Sequence, residues 1–502
     1  MITIQYDREG LEYDSYAMIT SFWPGAETKQ MLLNDASEPL PADAIRISMD
    51  PETRAGSVFF AKGEILPEQK KYYFEKSAEI TEQELKHAWK LFFYDTLAAY
   101  TGKSLPWGAL TGVRPTKLIM SAAKEMTQGD ILSAEEEEGA VIKRMITDYR
   151  LSEQKASLGY RIAILEDRIL DPFRYDPQRG EGYSVYVGIP FCPSRCLYCS
   201  FLAYAIGSFQ KKVADYLACV EQELKACTEI MGGKRLDTVY IGGGTPTALS
   251  AEELQILLDA VEKYLPMDRV QEYTVEAGRP DSITADKLRV MKAHGVSRIS
   301  VNPQTFKQET LNRIGRKHTV EELREAFALA RSEGFDNINM DLILGLPGET
   351  LEDVEHTYAE AVKMQPDSLT VQSLAIKRAS KMRDWVQEHG QITGMDYECA
   401  MQAGQAAAAQ MDMQPYYLYR QKNMAGSLEN TGFAKDGKYG LYNILIMEEV
   451  QSIYAIGAGT VSKRVFTDGS GRIERCDTHK DLSLYLSDIE AMIERKRKLF
   501  GE

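Results

Sequence analysis

The sequence lacks the features that mark membrane, secreted and low-complexity proteins. Its 502 residues contain no apolar run long enough to span a bilayer, and no charged-then-apolar leader follows Met1. Only 7 cysteines occur, and a chain of this length can bury large cores without disulfide bonds. Internal repeats and low-complexity tracts are also absent. We therefore expect a soluble protein of a reducing compartment, with a cytoplasmic localisation.

The chain also has fewer basic than acidic residues. The chain has 59 lysines and arginines against 74 acidic residues, which gives a formal net charge of −15. Because nucleic-acid backbones demand a basic surface, no nucleic-acid partner is expected, although a local basic groove remains possible.

Three of the cysteines lie close together in the sequence. Cys192, Cys196 and Cys199 are separated by three and then two residues in the run GIPFCPSRCLYCSF. A cubane iron-sulfur cluster normally takes four cysteines, so three local ligands leave one iron open to another molecule. The alternatives are a structural zinc site, which needs a fourth ligand, and unrelated buried thiols. Cys219 and Cys227, on a probable helix, are best read as core residues.

The cysteine spacing, with the aromatic Tyr198 before the last cysteine, resembles the loop of the radical S-adenosylmethionine (SAM) superfamily. This resemblance implies a [4Fe–4S] cluster bound by Cys192, Cys196 and Cys199, with SAM on the open iron. It also implies that reduction of the cluster splits SAM and forms a 5′-deoxyadenosyl radical, which abstracts hydrogen from a substrate. In such enzymes the cofactor carries the chemistry and the protein positions it.

After Gly180, short β-branched or aromatic runs alternate with amphipathic helical stretches, a pattern typical of βα units and a parallel sheet. Six strands are predicted, at 184–190, 238–242, 272–277, 298–302, 337–344 and 368–373. Helices are predicted at 251–264, 285–294, 320–332 and 351–364. Six such units predict an α/β fold, an open partial (β/α)6 barrel. The cysteine loop follows the first strand, at the carboxyl edge where parallel α/β folds place their sites.

The beginning of the chain has a different pattern. Mixed strands are predicted across 1–49, a further strand at Tyr72-Tyr73-Phe74, and a helix from Glu82 toward Tyr100. The acidic run 134–140 is interpreted as a solvated helix face, and 171–182 as a linker. Three domains are predicted: an α+β domain at 1–170, the barrel at 180–378 and an α+β extension at 379–502. In the first, the turn 111–117 could hold a carboxylate or phosphate through Arg114 and Lys117, although an exposed Gly/Pro turn is the simpler interpretation.

The second predicted strand of the barrel ends in the turn GGGTPT at 242–247. Without side chains, Gly243 and Gly244 allow backbone groups to approach a ligand closely, and Thr245 follows them. The alternatives are a phosphate-binding turn and a turn that only leads to the helix cap at Ser250. One βα unit after the cysteine loop, it resembles the superfamily segment that holds the SAM amino group.

Polar residues lie at or near the ends of the next three strands. They are Glu276, Gln304 and Asp341. A charged side chain in an apolar strand is costly unless it is paired, so Asp341 requires a partner such as a ribose hydroxyl. Glu276 has the alternative of a structural salt bridge with Arg279 or Arg298.

A combination of motifs in the later part of the chain resembles the oxygen-independent coproporphyrinogen III oxidase (dehydrogenase) family. The matching motifs are YxxIPFCxxxCxYC, GGGTPT, PQTF, RIGR and DLILGLPG, over about residues 180 to 470. The long N-terminal domain and the segment YRQKNMAG at 419–426 resemble the HemZ-type branch. The resemblance implies an oxidoreductase that decarboxylates two propionates of coproporphyrinogen III to vinyls, giving protoporphyrinogen IX. It also implies a one-electron donor such as flavodoxin or ferredoxin.

The resemblance also implies which residues contact SAM, of which the family's decarboxylating members bind two molecules. Arg316 is the expected cation for the SAM carboxylate, with a surface arginine as the alternative. The full set that aligns with SAM-contacting positions is Tyr186, Tyr198, Gly243, Gly244, Thr245, Glu276, Gln304, Arg316, Asp341, Ala375 and Val461. Candidate cations for substrate carboxylates are Lys377, Arg378, Arg420, Lys422, Lys463 and Arg464.

Two alternative functions remain open on the sequence. Ser200 and Phe201 follow Cys199, whereas the best established decarboxylases have a further cysteine there and the haem chaperones of this fold do not. Those chaperones, however, carry a His-Asn-x-x-Tyr-Trp motif, and here the segment 442–447 reads YNILIM. A haem chaperone would need Tyr442 or Met447 in place of the histidine. The other alternative is a radical enzyme acting on another substrate.

Overall fold

The computed structural model describes residues 1–7, 9–24, 26–33, 41, 43–49, 56–61, 81–127, 134–377, 379–390, 395–421 and 428–501. The chain divides into two compact units. The first comprises Met1–Ala163 with Tyr419–Glu429, and the second comprises Ile164–Leu418 with Asn430–Glu502.

The first unit combines a four-stranded sheet with helices. Its elements are β1 (Ile2–Tyr6), α1 (Glu12–Phe22), β2 (Thr28–Leu32), β3 (Ala44–Met49), β4 (Gly56–Phe60), α2 (Glu82–Thr101), α3 (Pro115–Thr127) and α4 (Ala134–Tyr149), and α5 (Glu153–Leu170) follows. The strand order is β2-β1-β3-β4, in which β1 is parallel to β2 and β3, and β4 is antiparallel to β3.

Large aromatic side chains fill the core between the first unit's sheet and helices α1 and α2. Phe22, Trp89 and Phe93 are buried there with residues of β1, β3 and β4. Gly56 permits this packing, because a Cβ at that position would lie 2.0 Å from the Trp89 ring. Helix α2 begins where its sequence predicts, since Thr81 and Glu84 form a capping box.

The predicted strands near the start of the chain, the helix from Glu82 and the helix at the acidic run are confirmed. Helix α1 interrupts the predicted run of strands. The predicted strand Tyr72-Tyr73-Phe74 lies outside the described residues.

The second unit follows the predicted alternation of strands and helices. Its first half contains β5 (Gly182–Ile189), β6 (Phe191–Cys192), β7 (Tyr204–Ala205), α6 (Ile206–Phe209), α7 (Val213–Ile230), β8 (Arg235–Gly243), α8 (Ala251–Tyr264), β9 (Glu272–Gly278), α9 (Ala285–Ala293), β10 (Arg298–Val301), α10 (Gln308–Arg313), α11 (Val320–Ser332), β11 (Ile338–Leu344), α12 (Leu351–Met364) and β12 (Ser368–Ser373). There follow α13 (Met382–His389), α14 (Tyr397–Gln410), β13 (Gln414–Tyr419), β14 (Asn430–Ala434), α15 (Leu441–Glu448), β15 (Ser452–Ile456), β16 (Val461–Val465), β17 (Ile473–Asp477), α16 (Leu482–Ser487) and α17 (Ile489–Phe500).

One large open sheet organises the second unit. Its order is β13-β14-β12-β11-β10-β9-β8-β5-β15-β16-β17. The six predicted strands are its adjacent parallel members β5 and β8 to β12, so the partial barrel is confirmed. The structure adds β15 as a seventh parallel strand beside β5. The sequence did not indicate it, because β15 follows a short helix and is separated from β5 by more than half of the second unit.

The helices of the barrel begin where polar capping residues stand. Ser250, Thr319 and Thr350 each accept a hydrogen bond from the third residue of the following helix, whose acidic side chain caps in return. These capping boxes satisfy backbone N–H groups that the first turn leaves unpaired. They explain why the predicted bounds of α8, α11 and α12 are confirmed to the residue.

One face of the sheet carries buried polar side chains that hydrogen-bond to one another. Thr238 donates to Ser184, and Arg298 donates to Ser368, which in turn donates to Asn339. Glu272 accepts the backbone N–H groups of Leu441 and Tyr442 at 2.6 and 3.3 Å. Helix α15 therefore begins against this polar face, and its first turn is bound by a strand carboxylate.

A buried ion pair joins the end of the chain to the rest of the second unit. Lys496 on α17 contacts the carboxylate of Glu223 on α7, and both side chains are fully buried. Glu223 also accepts the backbone N–H of Gly457 at 2.8 Å and the hydroxyl of Tyr485 at 2.5 Å. The pair thus holds the loop that follows β15.

The predicted domain boundaries stay predictions, and residue 378 itself lies outside the described residues.

Within the described part of the chain, no helix combines the length and the apolar character needed to cross a bilayer.

The buried pair makes a testable prediction about stability. Lys496→Met leaves the Glu223 carboxylate buried without its cation, so we expect the free energy of unfolding to fall by about 3–5 kcal/mol. Urea denaturation measures this. The control is Lys498→Met at an exposed position of the same helix, which should change stability by less than about 0.5 kcal/mol. Equal effects of the two variants would contradict the prediction.

Candidate active site

The three predicted cysteines lie on one loop at the carboxyl end of β5. Cys192 and Cys196 are buried and Cys199 is half-buried. The backbone N–H of Leu197 fixes the loop to the carbonyl of Ile314 at 2.9 Å, and within the loop the N–H of Cys199 donates to the carbonyl of Cys196 at 3.2 Å. The Cys192 thiol lies 3.4 Å from the Thr245 hydroxyl. The loop is therefore held in place by contacts that do not depend on a bound metal.

The chemistry of these thiols fits an iron-sulfur cluster. Burial raises the pKa of Cys192 to about 11, and burial also raises the pKa of Cys199. Thiolates at these positions consequently require nearby positive charge, which iron supplies. Among the described residues, no three Cys, His, Asp or Glu side chains converge on one metal-ion position.

The glycine turn at the end of β8 packs directly against the cysteine loop. The backbone N–H groups of Gly244 and Thr245 donate to the carbonyls of Ile189 and Phe191, both at 2.7 Å. Gly243 has a φ of +107°, a value that favours glycine. A Cβ on Gly244 would lie 2.5 Å from the Phe191 carbonyl oxygen and 3.0 Å from the Cys192 sulfur. The turn is thus a bare-backbone cradle beside the first cysteine.

Glu276, on the neighbouring strand β9, lies next to this cradle. The hydroxyl of Tyr240 donates to its carboxylate at 2.5 Å. Burial raises the pKa of Glu276 to about 7, and the charge of Asp341 adds to the effect. Tyr186 on β5 stacks on Tyr240 with ring centroids 6.1 Å apart, and Tyr442 of α15 stacks on both rings. Three tyrosines therefore surround this carboxyl group on the inner face of the sheet.

Gln304 and Asp341 are joined through their backbones. Gln304 has a φ of +68° and donates its N–H to the carbonyl of Asp341 at 2.9 Å. A left-handed conformation at a non-glycine residue costs roughly 1–2 kcal/mol and is often found at functional sites. The Asp341 carboxylate accepts from the side-chain amides of Asn302 and Asn339 at 3.0 and 2.7 Å, and burial raises its pKa.

Arg316 reaches the same region from the loop after α10. It is 5% exposed and donates to the carbonyl of Asn302 at 2.5 Å and to the hydroxyl of Tyr198 at 3.2 Å. The interpretation as a surface arginine is therefore wrong. Within the described part of the chain, Arg316 Nε and the side-chain oxygen of Gln304 are buried without a hydrogen-bond partner. A donor and an acceptor are thus available for a polar ligand.

The last two predicted residues lie at opposite sides of the parallel strands. Ala375 is half-buried, two residues after the end of β12. Val461 begins β16, on the other side of β5, and is 44% exposed. Its neighbour Thr460 is buried, and a Cβ on Gly188 would lie 2.7 Å from the Thr460 methyl group.

The alternative prediction, a salt bridge from Glu276 to Arg279 or Arg298, is wrong. The contacts that these arginines make instead identify residues that the sequence reasoning missed. Arg279 pairs with Asp281 at 2.6 Å and approaches the Cys196 sulfur at 3.8 Å. Arg298 donates to Ser368. Asn302 was also missed, although its position at the end of the fourth predicted strand could have indicated it.

Three of the four candidate cations for substrate carboxylates that lie within the described residues have structural contacts. Arg420 donates to the carbonyl of Leu110 and lies over the Trp107 ring, Lys463 pairs with Glu449, and Arg464 donates to the carbonyls of Leu499 and Gly501. Lys377 is exposed. Arg378 and Lys422 lie outside the described residues.

The turn 111–117 contributes to a cavity in the first unit. The cavity has a volume of about 360 Å³, and its lining includes Arg114, Lys86 and Lys90 but not Lys117. Lys90 is also paired with Asp14 at 3.0 Å. That this turn binds an anion stays a prediction.

Comparison with known proteins places this geometry in a family. The family described as the Radical SAM superfamily matches residues 186–361. The oxygen-independent coproporphyrinogen-III oxidase-like protein HemZ of Bacillus subtilis is 39% identical over 87% of this chain and 86% of its own length. The heme chaperone HemW of the same organism is 34% identical over 55% of this chain and 69% of its own length. Among solved structures, coproporphyrinogen III oxidase (HemN) of Escherichia coli has a TM-score of 0.49 and 22% identity, covering 66% of this chain and 73% of that chain.

The parallel partial barrel with a three-cysteine loop at its carboxyl edge is the architecture of a radical SAM protein. The chain belongs to this superfamily and, within it, to the HemZ-type branch of the oxygen-independent coproporphyrinogen III oxidase family. Its cofactors are accordingly a [4Fe–4S] cluster and SAM.

The packing of Gly244 predicts how tightly the cluster loop is constrained. Gly244→Ala should displace Phe191 and Cys192 at a cost of about 1–3 kcal/mol. We expect less iron and sulfide per chain after anaerobic reconstitution. Gly207→Ala is the matched control, because nothing lies within 4 Å of a Cβ there. Full iron content in the Gly244 variant would contradict the close packing.

The raised pKa of Glu276 predicts a pH-dependent contribution to stability. Its proton is retained in the folded apoprotein up to a pH of about 7, compared with an ordinary value of 4.5. The contribution of this proton to the free energy of unfolding is therefore complete below pH 4.5 and is lost as the pH rises through 7. The stability of the unmodified protein relative to Glu276→Gln should fall by on the order of 3 kcal/mol across this window. Urea denaturation of both apoproteins at several pH values would reveal a constant difference if the assignment were wrong.

Proposed function

We propose that this protein is an oxygen-independent coproporphyrinogen dehydrogenase, which converts coproporphyrinogen III to protoporphyrinogen IX. In this reaction two propionate side chains each lose carbon dioxide and become vinyl groups. The proposal is supported by the 39% identity with a relative named as an oxygen-independent coproporphyrinogen-III oxidase-like protein, over most of both chains.

The bound cofactors would supply a 5′-deoxyadenosyl radical that takes one hydrogen atom from the β-carbon of each propionate. The remaining substrate radical would then lose carbon dioxide and pass one electron to an external one-electron acceptor, leaving the vinyl group. One SAM is consumed for each vinyl group, and the SAM-contacting residues could serve two SAM molecules. A donor such as flavodoxin or ferredoxin would provide the electron that initiates each cycle.

In this proposal Cys192, Cys196 and Cys199 hold the cluster. Their thiols occupy one loop and are buried or half-buried, which limits the access of water to the iron. The loop's backbone hydrogen bonds are already formed without metal, so its residues are partly preorganised for the cluster.

The SAM molecule would lie along the carboxyl ends of the strands. Backbone groups of Gly243, Gly244 and Thr245, together with the Glu276 carboxylate, would bind its amino group. Arg316, whose Nε has no hydrogen-bond partner among the described residues, is suited to its carboxylate. Gln304 and Asp341 would bind the ribose hydroxyls, and the remaining contacts would come from Tyr186, Tyr198, Ala375 and Val461.

The geometry of Tyr442 is the observation that favours an enzyme over a haem-binding protein. Tyr442 stands where the haem chaperones have the histidine of their motif. It is 6% exposed and stacks on Tyr240 with ring centroids 4.5 Å apart. Burial raises its pKa well above the ordinary value. Because the ring is packed against Tyr186 and Tyr240, haem could reach its hydroxyl only if these rings moved apart, so the side chain is poorly placed for the role.

An anaerobic assay tests the proposed reaction. Reconstituted protein with SAM, a reductant and coproporphyrinogen III should yield protoporphyrinogen IX and one 5′-deoxyadenosine for each vinyl group formed. Product mass and deoxyadenosine are measured together. Cys196→Ala should abolish both. Deoxyadenosine formed with no loss of carbon dioxide from the tetrapyrrole would contradict the proposed substrate.

A haem-binding role is the second candidate, because the relatives include proteins named heme chaperone HemW. It predicts a Soret band on addition of one equivalent of haem, which Tyr442→Phe or Met447→Leu would remove. With the dehydrogenase function we expect no such stoichiometric band, and Tyr442→Phe should leave the spectrum unchanged.

A further inference from the structure

We propose that Arg279 is a positioning residue that donates a charge-assisted hydrogen bond to the sulfur of Cys196 and raises the reduction potential of the cluster. The inference rests on Cys196 being a cluster ligand. It does not depend on which substrate the enzyme uses.

Arg279 follows β9 immediately and is buried, with 3% of its surface exposed. Its Nη1 group lies 3.8 Å from Cys196 Sγ, within hydrogen-bonding distance for sulfur. The same nitrogen donates to the carbonyl and the hydroxyl of Ser194 at 3.0 and 2.8 Å. Arg279 therefore binds both the backbone and a thiol of the cysteine loop.

The guanidinium is held rigidly in this position. Its Nε and Nη2 groups donate to the two carboxylate oxygens of Asp281 at 2.9 and 2.6 Å. This two-point contact fixes the plane of the guanidinium and directs the remaining nitrogen, Nη1, at the loop. A lysine could not satisfy Asp281, Ser194 and Cys196 at once, because its charge is carried on a single nitrogen.

Other arginines lie beside the loop but are directed elsewhere. Arg195 donates to the carbonyl of Ala379 at 2.6 Å. Arg316 donates to Asn302 and Tyr198. Arg279 therefore differs from both in presenting its cationic N–H group to a cysteine sulfur.

Hydrogen bonds to cluster sulfurs are among the factors that set reduction potential. Reduction adds one negative charge to the cluster, and an N–H group that carries positive charge stabilises this reduced state more than the oxidised state. The contact should consequently make the cluster easier to reduce. Asp281 attenuates the effect, because its carboxylate partly neutralises the guanidinium.

The test is a redox titration of reconstituted protein, monitored by electron paramagnetic resonance in the absence of SAM and substrate. In Arg279→Gln the ratio of reduced to oxidised cluster at a fixed potential should fall about tenfold, equivalent to a 59 mV decrease in midpoint potential. Arg279→Lys, which keeps the charge but not the geometry, should show a smaller decrease. Arg269→Gln is the control, because Arg269 is a largely exposed arginine; its midpoint should match that of the unmodified protein.

Iron and sulfide content separate a change in potential from a loss of cluster. An unchanged midpoint in fully loaded Arg279→Gln protein would overturn the proposal. If that variant assembles no cluster, Asp281→Asn decides the matter, because removal of the counter-charge should raise the midpoint. A midpoint that stays the same or falls in Asp281→Asn would then overturn it. Failure of the decarboxylation assay with these potentials as expected would reject the proposed substrate alone.

Discussion

The close packing of the glycine turn beneath the cysteine loop is the constraint on which the site depends. Two backbone N–H groups just after β8 donate to the last residue of β5 and to Phe191, and no side chain fits at Gly244 without displacing its neighbours. Adjacent parallel strands bring their carboxyl ends to one edge, so the first two βα units alone place Cys192 beside the turn. The remaining site residues are arranged around this contact by the later strands.

This arrangement buries two carboxyl groups, and their burial is unfavourable. Burial raises the pKa of both Glu276 and Asp341, and the charge of Asp341 further opposes the ionisation of Glu276. Hydrogen bonds from Tyr240, Asn302 and Asn339 offset part of the cost. A positively charged ligand would offset more of it, and SAM carries both an ammonium and a sulfonium group.

The C-terminal part of the chain completes the barrel rather than following it as an independent appendage. Strand β15 pairs with β5, and α15 places Tyr442 against Tyr186 and Tyr240. The buried pair of Glu223 and Lys496 fixes the loop between β15 and β16. The segment from β5 to α7, which carries the cysteine loop, is consequently supported by residues more than 250 positions later in the chain.

The sequence by itself determined the local features. The spacing of Cys192, Cys196 and Cys199, the glycine turn, the six parallel strands and the capped helices all follow from short-range patterns, because turns, caps and amphipathic periodicity involve neighbouring residues. Only the tertiary structure decided the pairings across the chain. Arg279 contacts the cysteine loop and not Glu276, its predicted alternative partner. Tyr442 packs against Tyr240 on the inner face of the sheet. Such contacts depend on which strands become neighbours and on which side chains are buried together, and no local pattern encodes either of these.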